Sequence, residues 1–82
     1  MSPVEERLRR FLESQFLFEF DDVVTGASNL FALGLIDSFG FVELVAFMER
    51  EFAIKLSDEE LTGGSLNTLA GLVATVARKS HG

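Results

Sequence analysis

The chain reads as an all-α protein: a four-helix bundle with a long loop between helices one and two and a short third helix. Two observations predict this. Apolar residues recur at three- and four-residue spacing in three separate segments, the period of one helical face. Segments with this pattern, and one short turn between them, also open on helix-capping residues. At 82 residues the chain makes one domain, read as spanning 1–82 and ordered from about 3 to 79, with His81 and Gly82 as a short polar tail. A domain of this size buries roughly 60–65% of its unfolded surface, enough for one modest core and no deep enzyme cleft.

Helix one starts at Ser2-Pro3-Val4-Glu5, with Ser2 as N-cap, Pro3 at the first helical position and Glu5 in capping-box register. Val4, Leu8, Phe11, Leu12 and Phe16 fall on one face, which carries the helix to about Phe16. Arg7, Arg9 and Arg10 read as a solvated face. From Leu17 to Ile36 the periodicity breaks at Asp21-Asp22, Thr25-Gly26 and Ser28-Asn29. A connection of about twenty residues is normally functional or locally packed, and Leu30, Phe31, Leu33, Leu35 and Ile36 are its expected anchors.

Helix two runs from about Ser38 to Phe52. Phe41, Leu44, Val45, Met48 and Phe52 form a stripe assigned to the core, and Phe39, Val42 and Ala46 form a second stripe bordered by Glu43, Glu49 and Arg50. Two readings of the second stripe stand: a bundle that buries both stripes, or an apolar docking strip with a charged rim. Ala53 to Leu56 is a linker with apolar anchors, and Ser57 and Glu60 have capping-box spacing for a short helix ended by Thr62-Gly63-Gly64. The last helix starts near Asn67 and reaches about Lys79, with Leu69, Leu72, Val73, Val76 and Ala77 facing inward and Arg78 and Lys79 at its C-terminus, where the dipole favours cations.

Composition excludes several functions. A net charge of −6 and a pI near 4.5 argue against nucleic acid, whose phosphates reward Lys and Arg clusters, and suit docking onto basic partner surfaces. Without cysteine there is no disulfide frame or thiolate chemistry. No apolar run approaches the ~18 residues of a membrane span and no signal-peptide core opens the chain, so the expected location is cytoplasmic. Nine Phe with no Trp or Tyr suit a dry core, since no ring then carries a polar group to be satisfied.

The most informative stretch is Gly34-Leu35-Ile36-Asp37-Ser38-Phe39, which presents a serine at the start of helix two. Read in isolation, an Asp-Ser pair before an apolar-periodic run is a helix cap. Catalysis by Ser38 would need a base and an oxyanion site, yet the one histidine is His81 in the tail. Ser38 has nothing in its own chain to activate it and is expected to be a substrate of another enzyme.

That stretch, with Val42-Glu43-Leu44 and the Glu49 to Phe52 segment after it, resembles the acyl carrier protein family, including peptidyl and aminoacyl carriers; the likeness runs from Asn29 to Leu69 and on to Ala77. The resemblance implies a four-helix bundle of acyl-carrier-protein type that is not an enzyme. It implies that Ser38 bears a 4′-phosphopantetheine arm from coenzyme A, holding acyl cargo as a thioester and presenting it to partner enzymes. It gives Asp37 a part in recognition by a phosphopantetheinyl transferase and its metal ion. It makes helix two, through Phe39, Val42, Glu43, Ala46, Glu49 and Arg50, the surface for that transferase, an acyl- or aminoacyl-loading ligase and downstream transferases. Short cargo could shelter among Phe41, Val45, Ile54 and Leu61, or Phe41 could fill that space itself.

Phe39 after the serine, usually Leu in the family, Gly40, often acidic there, and Arg50 within Glu49-Arg50-Glu51 depart from the housekeeping fatty-acid pattern. They point to a free-standing monomeric carrier of a specialised pathway; the initiating Met and the capped first helix favour a chain of its own over a piece cut from a synthase. The alternatives are an aminoacyl or peptidyl carrier loaded by an adenylating ligase, and an unmodified helical interaction module in which replacing Ser38 would cost only a helix cap.

Overall fold

The computed structural model describes residues 2–80 as four helices: α1 (Pro3–Phe16), α2 (Ser38–Glu51), α3 (Asp58–Thr62) and α4 (Leu69–Ser80). His81 lies outside the described residues. Helix α1 is capped by Ser2, whose hydroxyl accepts the Glu5 N–H at 3.1 Å, with Pro3 in the first turn. The expected return bond from the Ser2 N–H to the Glu5 carboxylate, which would complete a capping box, does not form among the described residues. It ends on Leu17 in the left-handed conformation (φ 59°), its N–H donating to the Glu13 carbonyl, a C-terminal geometry usually given to glycine.

Helices α1 and α2 run antiparallel: Arg7 pairs with Glu51 at 3.2 Å near one end, and Gln15 donates to Glu43 at 3.0 Å near the other. Between them the Phe11 and Phe47 rings stack at 4.1 Å, with Phe16 and Phe52 edge-on to this pair. Phe47 belonged to neither stripe read from the sequence, because the face of α2 turned to α1 lies between them. Helix α4 packs on α1. The core consists of Leu8 and Leu12 from α1, Leu44 and Met48 from α2, and Leu69, Leu72 and Val76 from α4, closed by Phe20, Leu30, Ile36, Leu56 and Leu66 from the connections.

Some expected positions move. In α2 only Leu44 and Met48 of the assigned core stripe are fully buried; Phe41, Val45 and Phe52 are half-buried against them. Leu33, expected as an anchor, is 52% exposed, because the chain turns at Gly34 (φ 76°) and leaves it outside. In α4 the inward position is Thr75 rather than Ala77, with the Thr75 hydroxyl satisfied by donating to the Gly71 carbonyl at 2.8 Å. That helix also begins two residues later than its pattern suggests, since the Thr68 hydroxyl accepts the Gly71 N–H at 2.9 Å and takes the cap. Arg9 is not part of a solvated face. Its guanidinium sits 5.7 Å from the Phe20 ring centre and donates to the Phe20 carbonyl and to Glu13, which itself takes the Phe20 N–H at 2.9 Å. This clamp buries Phe20, a loop anchor the periodicity did not mark.

The loop from 17 to 37 is ordered by local bonds and by α4. Asp21 accepts the Val23 and Val24 N–H groups, each at 2.8 Å, and Asn29 accepts those of Phe31 and Ala32. Val24 first and Val23 second hold the Asp21 carboxyl below its ordinary pKa. Two backbone bonds then tie the loop to the start of α4, from the Leu30 N–H to the Asn67 carbonyl at 2.8 Å and from the Ala70 N–H to the Gly26 carbonyl at 2.9 Å. Leu30 itself is wholly buried. Leu30→Ala is therefore expected to cost about 2–5 kcal/mol in urea unfolding; a loss below 1 kcal/mol would mean that the loop does not need this plug.

Helix α3 is short and held electrostatically. Ser57 and Glu60 form both bonds of the predicted capping box, and Glu60 also accepts from Lys79 at 2.7 Å and Arg78 at 3.3 Å, clasping α3 to the end of α4. The Lys79 bond first, and the Ser57 N–H next, hold the Glu60 carboxyl down to about 2 from 4.5. A carboxyl whose pKa falls on folding stabilises the fold above its unfolded value and loses that contribution as the pH drops towards its folded value. The clasp should thus be intact above pH 4.5 and weaken from there towards pH 2. Acid titration followed by circular dichroism should show a shallower loss in that window for Glu60→Gln than for the wild type; equal slopes would remove Glu60 as the acid-sensitive group.

Candidate functional site

The site is built by the three residues before α2. The Leu35 and Ile36 N–H groups both donate to the Leu30 carbonyl, at 3.0 and 3.3 Å, and Ile36 is buried. This fixes the exit of the loop. Asp37 follows in an extended conformation, and its carboxylate Oδ1 accepts the Gly40 N–H at 2.7 Å while its carbonyl accepts the Phe41 N–H at 2.9 Å. Asp37 is the helix cap. Ser38 is the first residue of α2, exposed, with its hydroxyl not engaged in capping.

Gly40 is buried directly behind this turn. A Cβ at that position would run into the Phe16 ring and come within 3.2 Å of Asp37 Oδ1. Alanine would add about 1 kcal/mol of helix propensity, but crowding a packed ring costs about 1–3 kcal/mol, so the close approach of α1 decides for glycine. The departure of this position from an acidic residue follows from the placement of Phe16.

Beside Ser38 the surface dips into a groove of about 220 Å³, lined by Phe31, Ser38, Phe41, Leu61 and Asn67. The Phe31 and Phe41 rings meet edge to face at 5.4 Å. Of the four residues expected to shelter cargo, Phe41 and Leu61 line this groove. Val45 and Ile54 do not; both pack against the core instead. Phe31 and Asn67 take their places. Neither followed from helix periodicity, because both lie in connections whose course depends on the Leu30–Asn67 backbone bond.

The second stripe of α2 faces solvent, with Phe39 71% and Val42 64% exposed and Ala46 exposed between turns. Arg50 is exposed at its end. Glu43 is half-buried and holds Gln15. Glu49, read from sequence as rim, is half-buried with its carboxylate accepting the Leu56 N–H at 2.9 Å, where it pins the α2–α3 connection.

The capping bond thus belongs to Asp37 and not to Ser38, which reverses the loss foreseen for a simple cap at Ser38. Asp37→Ala should lower stability by about 0.5–2 kcal/mol. Ser38→Ala, an exposed change, should stay within about 0.5 kcal/mol. Paired denaturation curves check the order, and a larger loss at Ser38 would overturn the assignment of the cap.

No solved structure matches the chain. The model of the phosphopantetheine attachment site family matches residues 8–76, a span that takes in the core of α1, the loop, the Asp37-Ser38 turn, α2, α3 and most of α4. Domains of this family are non-catalytic carriers that receive 4′-phosphopantetheine and engage the transferase that attaches it. The chain belongs to the phosphopantetheine attachment site family and is a carrier protein.

Proposed function

We propose that Ser38 is the attachment point, and that the protein is an acyl carrier of a specialised pathway. The observation that carries this reading is the division of labour at the α2 start: Asp37 fills the cap and leaves the Ser38 hydroxyl exposed at the mouth of a groove. In the transfer reaction the Ser38 Oγ forms a bond to the phosphorus of coenzyme A next to the pantetheine, adenosine bisphosphate leaves, and the hydroxyl proton passes to the transferase. The phosphodiester then sits at a helix N-terminus, where unpaired N–H groups and the dipole favour an anion. Asp37, adjacent and acidic, offsets part of that gain and is the natural ligand for a transferase-bound metal ion. The attached arm supplies a terminal thiol for cargo.

Phe39, Val42 and Ala46 form the apolar centre of the partner-docking surface, with Glu43 and Arg50 at its edge. The acidic chain suits basic partner surfaces. An aromatic ring at Phe39 alters the first turn of this surface relative to ordinary fatty-acid carriers, which supports a dedicated set of enzymes. In this reading the carrier acts as a monomer in the cytoplasm; no helix among the described residues is long and apolar enough to cross a membrane.

Intact mass before and after incubation with a broad-specificity phosphopantetheinyl transferase, magnesium and coenzyme A tests the reading. The wild type should gain one phosphopantetheinyl group and Ser38→Ala none. A gain on both proteins would move the attachment elsewhere, and a gain on neither with the native transferase would favour an unmodified interaction module. Loading of the modified protein by acyl ligases supports the acyl reading, whereas loading only by amino-acid ligases replaces it.

A further inference from the structure

We infer that the groove beside Ser38 is a seat for the inner, amide-bearing part of the arm, and that Asn67 is the residue that hydrogen-bonds it there. The inference rests on the assignment of Ser38 as the attachment point. Its structural basis is the way the connection before α4 is built. Gly64 adopts φ 85°, a conformation that favours glycine, and its carbonyl accepts the Asn67 N–H at 3.2 Å. The Asn67 carbonyl accepts the Leu30 N–H at 2.8 Å. Both backbone groups of Asn67 are therefore committed, one within its own turn and one to the loop that leads to Ser38.

The side chain is not. Asn67 is half-buried and lines the groove together with Ser38, Phe31, Phe41 and Leu61. A carboxamide brings two donors and a two-lone-pair acceptor, and no hydrogen bond holds it to another described residue. The rest of the lining apart from Ser38 is apolar, an edge-to-face Phe31–Phe41 pair and Leu61. Leu44 and Met48 of the core are wholly buried, so the groove is a surface seat and not an entrance to the core.

This combination selects a chain that alternates apolar and amide segments. The pantetheine arm has that composition, with two methyl groups near its phosphate and two amides along its length. A long alkyl chain would leave the Asn67 carboxamide facing hydrocarbon, which costs an unmade hydrogen bond. Tethering at Ser38 sets the local concentration in the millimolar range, so weak contacts suffice to populate the seat. It stays shallow enough for a partner enzyme to draw the arm out.

Isotope-edited NMR of the modified protein tests this, with intact mass recorded first on every sample. In the wild type the two arm methyls should shift upfield of their positions in free coenzyme A, under the Phe31 and Phe41 rings, and the Asn67 side-chain amide should move between the unmodified and modified forms. Asn67→Ala keeps the backbone bonds, so circular dichroism and modification should be unchanged. The ratio of seated to free arm should fall by about 2- to 10-fold, the range for one net hydrogen bond. Asn67→Gln should recover part of it. Full modification with methyls at their free positions and an unmoved Asn67 amide would overturn the proposal. Absence of the mass gain would overturn the Ser38 assignment and this seat with it, a failure visible before any spectrum is taken.

Discussion

The bond from the Leu30 N–H to the Asn67 carbonyl, with Leu30 plugged into the core above it, is the joint on which the rest of the molecule depends. A chain of 82 residues that leaves some twenty of them outside its helices between α1 and α2 has little core to spare. Those residues carry backbone donors and acceptors that must be satisfied if the segment is to pack. The solution is to let the loop and the start of α4 satisfy each other: Gly26 takes one of the first N–H groups of α4, and Asn67 takes one from the loop. The same joint fixes Ile36 and hence the angle at which the chain enters α2 at Ser38.

From that joint the chemistry of the site follows by exclusion of roles. Asp37 satisfies the helix start, Gly40 makes room for Phe16, and Ile36 anchors the approach. Each neighbour of Ser38 on the inner side is committed to structure. Asp37, Ser38 and Phe39 all reach solvent, but of the three only Asp37 has its side chain engaged in the turn. The proposed attachment at Ser38 needs that separation: a residue that another enzyme modifies must be free of the fold it sits on, while the turn presenting it stays rigid. The clasp of Glu60 with Lys79 and Arg78 does for α3 what the Leu30 joint does for the loop, holding a five-residue helix that has no buried residue of its own.

Much of this was legible in the residues. Caps at Ser2 and Ser57, the helical faces of α1 and α4, and the Asp37-Ser38 turn all express local rules of hydrogen bonding and period, which act over three or four residues. What was missed lies where long-range contacts decide. Phe20 is buried because Arg9 and Glu13 clamp its backbone and ring, and Phe47 is half-buried because α1 runs antiparallel across it. Val45 and Ile54 were expected in the cargo groove, but the connections joined by the Leu30–Asn67 bond put Phe31 and Asn67 there. Glu49 looked like surface charge, yet it serves a backbone N–H seven residues away.

The four helices, their caps, the acidic character and the serine that begins α2 are written in the residues themselves, because these depend on side-chain chemistry read locally. That the second apolar stripe of α2 faces solvent, and which side chains surround Ser38, came only with the packed chain. Those outcomes rest on the packing of α1 against α2 and on the two backbone bonds between loop and α4. Such contacts join residues tens of positions apart, and no local period carries a signal for them.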